Sequence, residues 1–295
     1  MPLLEDRVSI AVEKILLATD FSLSSEKAAA YAKGMAQRFS STVEIAHVFD
    51  PSVVTSDEEA ATGEPVTNRR RATVDRLEEI KSGFRNSGIP AETALPEGYR
   101  PFAALLKIAK QHQVDLVIAG TESKLGVERL ILGSTAEELI RNAQVPVLTV
   151  GPNARLPKEG PLAFKRIIYA TDFSKESARA AVYALSFAQD SGAHLYFCYV
   201  LSFQPHKSSK TDYLDEAFQS ALNRIIPQSS YDWCNPECVV GHGNAAKAIL
   251  ELAEKVEADL IVLGARKASF WLTHIAHGLT PDLLAQATCP VMTVC

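Results

Sequence analysis

The sequence predicts an α/β protein made of two tandem domains, each a parallel sheet with helices on both faces. Three observations carry this expectation. First, the chain repeats itself. Lys14-Ile15-Leu16-Leu17-Ala18-Thr19-Asp20-Phe21-Ser22 returns as Arg166-Ile167-Ile168-Tyr169-Ala170-Thr171-Asp172-Phe173-Ser174, and Val145-Pro146-Val147-Leu148-Thr149-Val150 returns as Cys289-Pro290-Val291-Met292-Thr293-Val294. The period is too long for a solenoid and fits one duplicated domain. Second, short apolar runs alternate with helical patterns, and strands that are apolar almost throughout belong to a sheet covered on both faces. Third, Gly151-Pro152-Asn153 to Gly160-Pro161 has the composition of a linker. The domains are therefore expected at residues 1–152 and 164–295, joined by residues 153–163.

The elements of the first copy follow in order. Residues 14–19 read as a strand, and Ala28-Ala29-Ala30, Tyr31, Ala32 and Met35 give the next helix its apolar side. Residues 42–48 form a second strand. The polar stretch 52–67 has no periodicity and reads as a mobile loop. A charged amphipathic helix is expected over 70–86, stopped by Ser87-Gly88 and Pro90. A short third strand leads to Glu97-Gly98, then a helix over 102–112 and a buried strand over 115–119. A helix over 134–142 and a strand over 145–150 close the copy. The second copy repeats this plan, with its long helix at 211–226.

Composition limits the function classes. At 295 residues, 47% hydrophobic and 22% charged, the chain is long enough for about two well-filled cores. A formal net charge of -5 argues against a nucleic-acid partner, which calls for a basic face. The first residues, Met1-Pro2-Leu3-Leu4-Glu5-Asp6-Arg7, lack the order of a signal peptide, and no apolar run approaches the roughly 20 residues of a membrane span. Five cysteines, all in the second half, read as reduced thiols. A cytoplasmic protein without a membrane partner is expected.

The stretch with chemical content begins at Gly120 and ends at Thr135. A glycine-bearing loop leaves a strand and delivers Gly133-Ser134-Thr135 to a helix N-terminus, where free N–H groups and the helix dipole favour a phosphate. In open parallel sheets ligands bind beyond the carboxyl ends of the strands, where the winding reverses. If the first and fourth strands are neighbours, Asp20 faces this loop across one crevice, ready to read an exocyclic amine or a ribose hydroxyl. Two plainer readings stand beside these. Asp20 would merely open the first helix, with Ser22 or Ser24 as cap. Ser134-x-x-Glu137 would be a capping box, though Gly133 then lacks a reason.

Taken together, Asp-Phe-Ser after the first strand, the Gly–Gly-Ser loop after the fourth and the final Val-Pro-Val strand resemble the universal stress protein family, and both halves match. The resemblance implies two Rossmann-like domains of the adenine nucleotide alpha hydrolase-like kind, each with a five-stranded parallel sheet. It also implies ATP binding in members that carry Gly-x2-Gly-x9-Gly-Ser/Thr, with Mg accompanying the nucleotide. Here the pattern reads Gly120-x2-Ser123-x9-Gly133-Ser134, with Gly126 close to the substituted position. By this resemblance Asp20 and the backbone at Val48 would meet adenine or ribose, while Gly120, Ser123, Gly126, Gly133, Ser134 and Thr135 would line the ribose and phosphates.

The second copy departs from the pattern. Its loop runs from Gly264 to Thr280, with Lys267 in the glycine position, one extra residue and Leu279 where a hydroxyl is wanted. ATP is expected in the first half alone. Gly241-His242-Gly243-Asn244 matches a dinucleotide pattern but reads as an ordinary strand-to-helix turn. Cys234, Cys238, His242, His274 and His277 have no closed zinc spacing. No Ser-His-Asp order, His-Glu-x-x-His or P-loop lysine occurs, so ATP turnover is expected to be slow at most. The two closing apolar strands need cover, and pairing them across a pseudo-twofold gives an intramolecular pseudo-dimer. A further homodimer and an unidentified protein partner stay open. The alternative function is a nucleotide-free interaction scaffold or a binder of another small ligand.

Overall fold

The computed structural model describes residues 10–52, 66–121, 133–202, 209–265 and 279–295. The first repeat runs β1 (Lys14–Ala18), α1 (Leu23–Phe39), β2 (Thr42–Ala46), α2 (Val66–Arg85), β3 (Ala91–Ala94), α3 (Pro101–Gln111), β4 (Leu116–Gly120), α4 (Ser134–Asn142) and β5 (Val147–Val150). The second runs β6 (Arg166–Ala170), α5 (Lys175–Ser191), β7 (His194–Leu201), α6 (Ser209–Ile225), β8 (Asn235–His242), α7 (Ala245–Lys255), β9 (Leu260–Gly264), α8 (Leu279–Gln286) and β10 (Val291–Val294). The polar stretch 53–65 and the segments 122–132, with Ser123 and Gly126, and 266–278 lie outside the described residues.

The strands join into one ten-stranded sheet in the order β3-β2-β1-β4-β5-β10-β9-β6-β7-β8. Pairs within each half are parallel, and β5 meets β10 antiparallel, with Leu148 opposite Met292. Alternation along β1 explains the two-sided core: Ile15 and Leu17 pack on one face, Leu16 and Ala18 on the other. The repeated Asp before β4 and β9 has a structural task. One oxygen of Asp115 accepts from the backbone N–H of Glu13 and Lys14, and Asp259 does the same for Lys165 and Arg166.

Residues 151–162 are a strap pinned to both halves. The Lys27 ammonium donates to the carbonyls of Pro152 and Ala154 at 2.6 and 3.0 Å, and the Tyr31 hydroxyl to that of Arg155 at 2.8 Å. On the other side Asn153 donates to the Ala285 carbonyl, and the Arg155 N–H to that of Thr288. Gly241 and His242 end β8, Gly243 turns the chain at φ 87°, and Asn244 caps α7, its side chain accepting from the Lys247 N–H. Burial pushes the Cys234 and Cys238 thiols up to about 12 and about 11, so both stay protonated; Cys234 packs against the core, and the Cys238 thiol donates to Asn223 Oδ1 at 3.3 Å.

Candidate functional site

The winding of the first half reverses between β1 and β4, which are direct neighbours with Ala18 paired to Ala119. Beyond their carboxyl ends lies a cleft of about 130 Å³. Thr19 and Asp20 after β1, His47 and Val48 after β2, and Gly120 at the end of β4 line it, closed by Pro101 and Leu105 of α3 and Thr135 and Ala136 of α4. Four of the residues named from sequence, Asp20, Val48, Gly120 and Thr135, therefore share one crevice. Gly133 and Ser134 stand just beside it, at the start of α4.

Asp20 is held by its own turn. Its Oδ1 accepts from the Ser22 N–H at 3.0 Å and from the Ser25 hydroxyl at 2.5 Å. Partial burial pushes the carboxyl up, but these hydrogen bonds outweigh it and hold the group below its ordinary value. The Ser22 hydroxyl also contributes to holding the carboxyl down. The helix cap is Ser22, whose hydroxyl accepts from the Ser25 N–H, as the plainer expectation had it, with Asp20 holding the turn that opens α1. Ser25 escaped the sequence reading, although its recurrence as Ser177 was visible. The two serines differ in use: the Ser177 hydroxyl donates to the Ser174 carbonyl at 2.9 Å.

The residue after this aspartate takes a left-handed backbone in both copies, φ 64° at Phe21 and 57° at Phe173. That conformation costs a bulky residue energy, and neighbouring contacts must sustain it. The Phe21 N–H donates to the Thr19 hydroxyl, its ring centroid lies 4.6 Å from that of His47, and the Arg76 guanidinium sits over the Phe21 ring at 4.2 Å. His47 donates from Nδ1 to the Thr19 carbonyl at 2.9 Å; burial pushes its imidazole down, so the ring is neutral near pH 7. In the second copy Tyr199 and Phe218 take the places beside Phe173.

Backbone polarity supplies the next wall. The N–H groups of His47 and Phe49 turn to the carbonyls of Ala94 and Pro96. Between them, the N–H and C=O of Val48 meet no partner among the described residues, and Val48 lines the cleft. β2 stops at Ala46, whereas β7 continues pairing with β8 as far as Leu201.

The start of α4 overturns the capping-box reading. Gly133 is the N-cap, no side chain caps it, and the Glu137 carboxylate pairs with Arg141 instead. A Cβ added at Gly133 would come no nearer than 3.8 Å to a described atom, the Thr121 hydroxyl. Gly120 is the opposite case. A Cβ there would fall 2.4 Å from the Ser24 carbonyl carbon, and one at Gly264 would fall 2.3 Å from the Ser177 nitrogen. Both glycines let the first helix of their repeat pass close to the strand end, so this requirement comes from packing.

Comparison with known proteins agrees with this architecture. The sequence profile of the Universal stress protein family matches residues 11–151 and again 163–294. A universal stress protein of Methanocaldococcus jannaschii is 32% identical over 139 residues, 47% of this chain and 81% of the relative. One of Thermus aquaticus is 32% identical over 138 residues, covering 46% of this chain and 96% of the relative. Among solved structures, a universal stress protein of Archaeoglobus fulgidus superimposes with a TM-score of 0.72 over 98% of both chains, at 20% identity, which shows a shared fold. With the profile occurring twice, in tandem, over two halves of one sheet, the chain belongs to the Universal stress protein family.

Proposed function

We propose that the first half binds an adenine nucleotide in the cleft between β1 and β4 and that this binding regulates the protein in a stress response. The observation that carries the reading is the set of polar groups around one crevice. The Asp20 carboxylate is an acceptor, the Val48 backbone offers a donor and an acceptor, and the N-terminus of α4 has no side-chain cap. A purine needs a donor and an acceptor along its edge, a ribose hydroxyl needs an acceptor, and phosphates need free N–H groups. The cleft volume is below the 300–1,000 Å³ typical of whole drug-sized ligands. In this reading it takes the base, and the ribose and phosphates extend over Gly133, Ser134 and Thr135.

A Mg ion would ride on the phosphates. The described residues hold no group of three or more acidic, histidine or cysteine side chains placed for a metal, and Mg is commonly held by one or two carboxylates plus phosphate oxygens. Asp20, held below its ordinary value, is a poor general base, so turnover is slow in this reading. The second half lacks the equivalent loop chemistry and serves as a structural partner.

The test is titration calorimetry with ATP and AMP on the protein and on Gly133→Val, together with mass spectrometry of any nucleotide carried through purification. A valine would occupy the approach to the α4 N–H groups, so ATP affinity should fall at least tenfold with the melting temperature unchanged. Equal affinity in both proteins would sink the assignment, and no binding in either would favour the nucleotide-free scaffold.

A further inference from the structure

Residues on the line where the two halves meet occupy equivalent positions of the repeats. Leu148 and Met292, each the middle of its Val-x-Thr run, face each other across the β5–β10 pair. Arg38 and Asp190 are each the second-last residue of a seventeen-residue helix, α1 and α5, and they touch. Contact between equivalent positions is the signature of a twofold arrangement, in which a true homodimer would place each residue against itself.

At two such places the repeats have diverged into complementary pairs. The Arg38 guanidinium grips Asp190 in a fork, Nε to Oδ2 at 2.6 Å and Nη2 to Oδ1 at 2.8 Å, with Nη2 also donating to the Asp190 carbonyl at 2.6 Å. Two copies of the first half would set Arg against Arg, and two copies of the second half Asp against Asp. The second place concerns the arms entering β1 and β6. The Ile10 N–H donates to the Ser186 hydroxyl of α5 at 3.1 Å, while the Leu162 N–H donates to the Gly34 carbonyl of α1 at 2.8 Å. Gly34 and Ser186 are again equivalent, each twelfth in its helix. A Cβ on Gly34 would lie 3.0 Å from Leu162 Cβ and 3.3 Å from the Gly160 carbonyl oxygen. The second-half arm therefore fits closely over glycine, and the first-half arm bonds to the serine hydroxyl.

We propose that these pairs form a recognition code: the first half accepts the second half as its partner and rejects another copy of itself. Opposite charge and matched shape favour the mixed pairing, and the same residues penalise both like pairings, which is how partner choice is commonly enforced. The inference rests on the junction between the halves and is independent of any nucleotide.

The test starts from the folded full-length chain with a protease site inserted between the exposed Lys158 and Glu159. After cleavage, native mass spectrometry at low salt should find one first half with one second half and no like pairs. Asp190→Arg should weaken this association at least tenfold, and the exchange Arg38→Asp with Asp190→Arg should restore it to within about threefold, because a fork and a carboxylate again meet. Uncut chains give a second readout: Asp190→Arg should lower Tm by roughly 2–4 °C and the exchange should recover it, with the gap narrowing in 1 M salt. Like pairs from the unsubstituted cut chain, or an exchange no better than the single variant, would overturn the proposal.

Discussion

Gly120 and Gly133 flank the stretch between β4 and α4, and the structure gives a packing reason for glycine at Gly120 but not at Gly133. Gly120 is required by the backbone of α1 passing within 2.4 Å of the missing Cβ, and Gly264 repeats that demand in the second half. Alanine at either position should destabilise the chain by about 1–3 kcal/mol, as overpacking does, by similar amounts in urea unfolding; a neutral Gly264→Ala would contradict this. The sequence made both glycines visible through the repeat. Their reason was hidden, because it depends on where a helix far away in sequence passes. Asp20 makes a prediction with a sign. Its folded carboxyl lies below its ordinary value, so its stabilising contribution is present above the unfolded pKa and is lost as pH falls through the folded one. Urea unfolding between about pH 2 and 6 should show part of the acid loss of stability removed in Asp20→Asn, relative to the unsubstituted chain.

At the scale of elements, the strands and most helices were legible because apolar periodicity fixes them locally. β2, however, ends at Ala46, short of the expected residue 48, and α2 begins at Val66, ahead of the expected residue 70. The start of α4 shows why the site was less legible. Ser134-x-x-Glu137 has the spacing of a capping box, but Arg141, one turn further on, takes the carboxylate and the helix begins a residue earlier than a serine cap requires. Ser134→Ala should therefore leave Tm nearly unchanged, where loss of a true cap would cost about 0.5–2 kcal/mol, while weakening ATP in calorimetry. A clear drop in Tm would return Ser134 to a structural role. The linker composition was equally visible, yet its pinning by Lys27, Tyr31 and Asn153 is a tertiary fact that glycine and proline content does not disclose.

For the whole molecule, the antiparallel junction makes one sheet of two. Val147 and Val291 are both almost fully buried beside it. A carboxylate at each, Val147→Glu with Val291→Glu, should lower Tm strongly and let the halves tumble separately in NMR relaxation, since a buried unpaired charge costs several kcal/mol; unchanged stability and joint tumbling would contradict the pairing. The duplication was legible as a repeat because it preserves strand sequences, and it also separates the two sides of the junction along the chain. That separation matters at the ribosome. β5 is completed about halfway along the chain, whereas its partner β10 is the last of the ten strands to be made. Until then the nascent chain carries an apolar strand with one bare edge, open to a neighbouring polysome product. The fold that hides this edge in the finished protein thus creates an interval during synthesis when chaperone cover would matter most, and substitutions that delay the second half should show first as poor soluble yield.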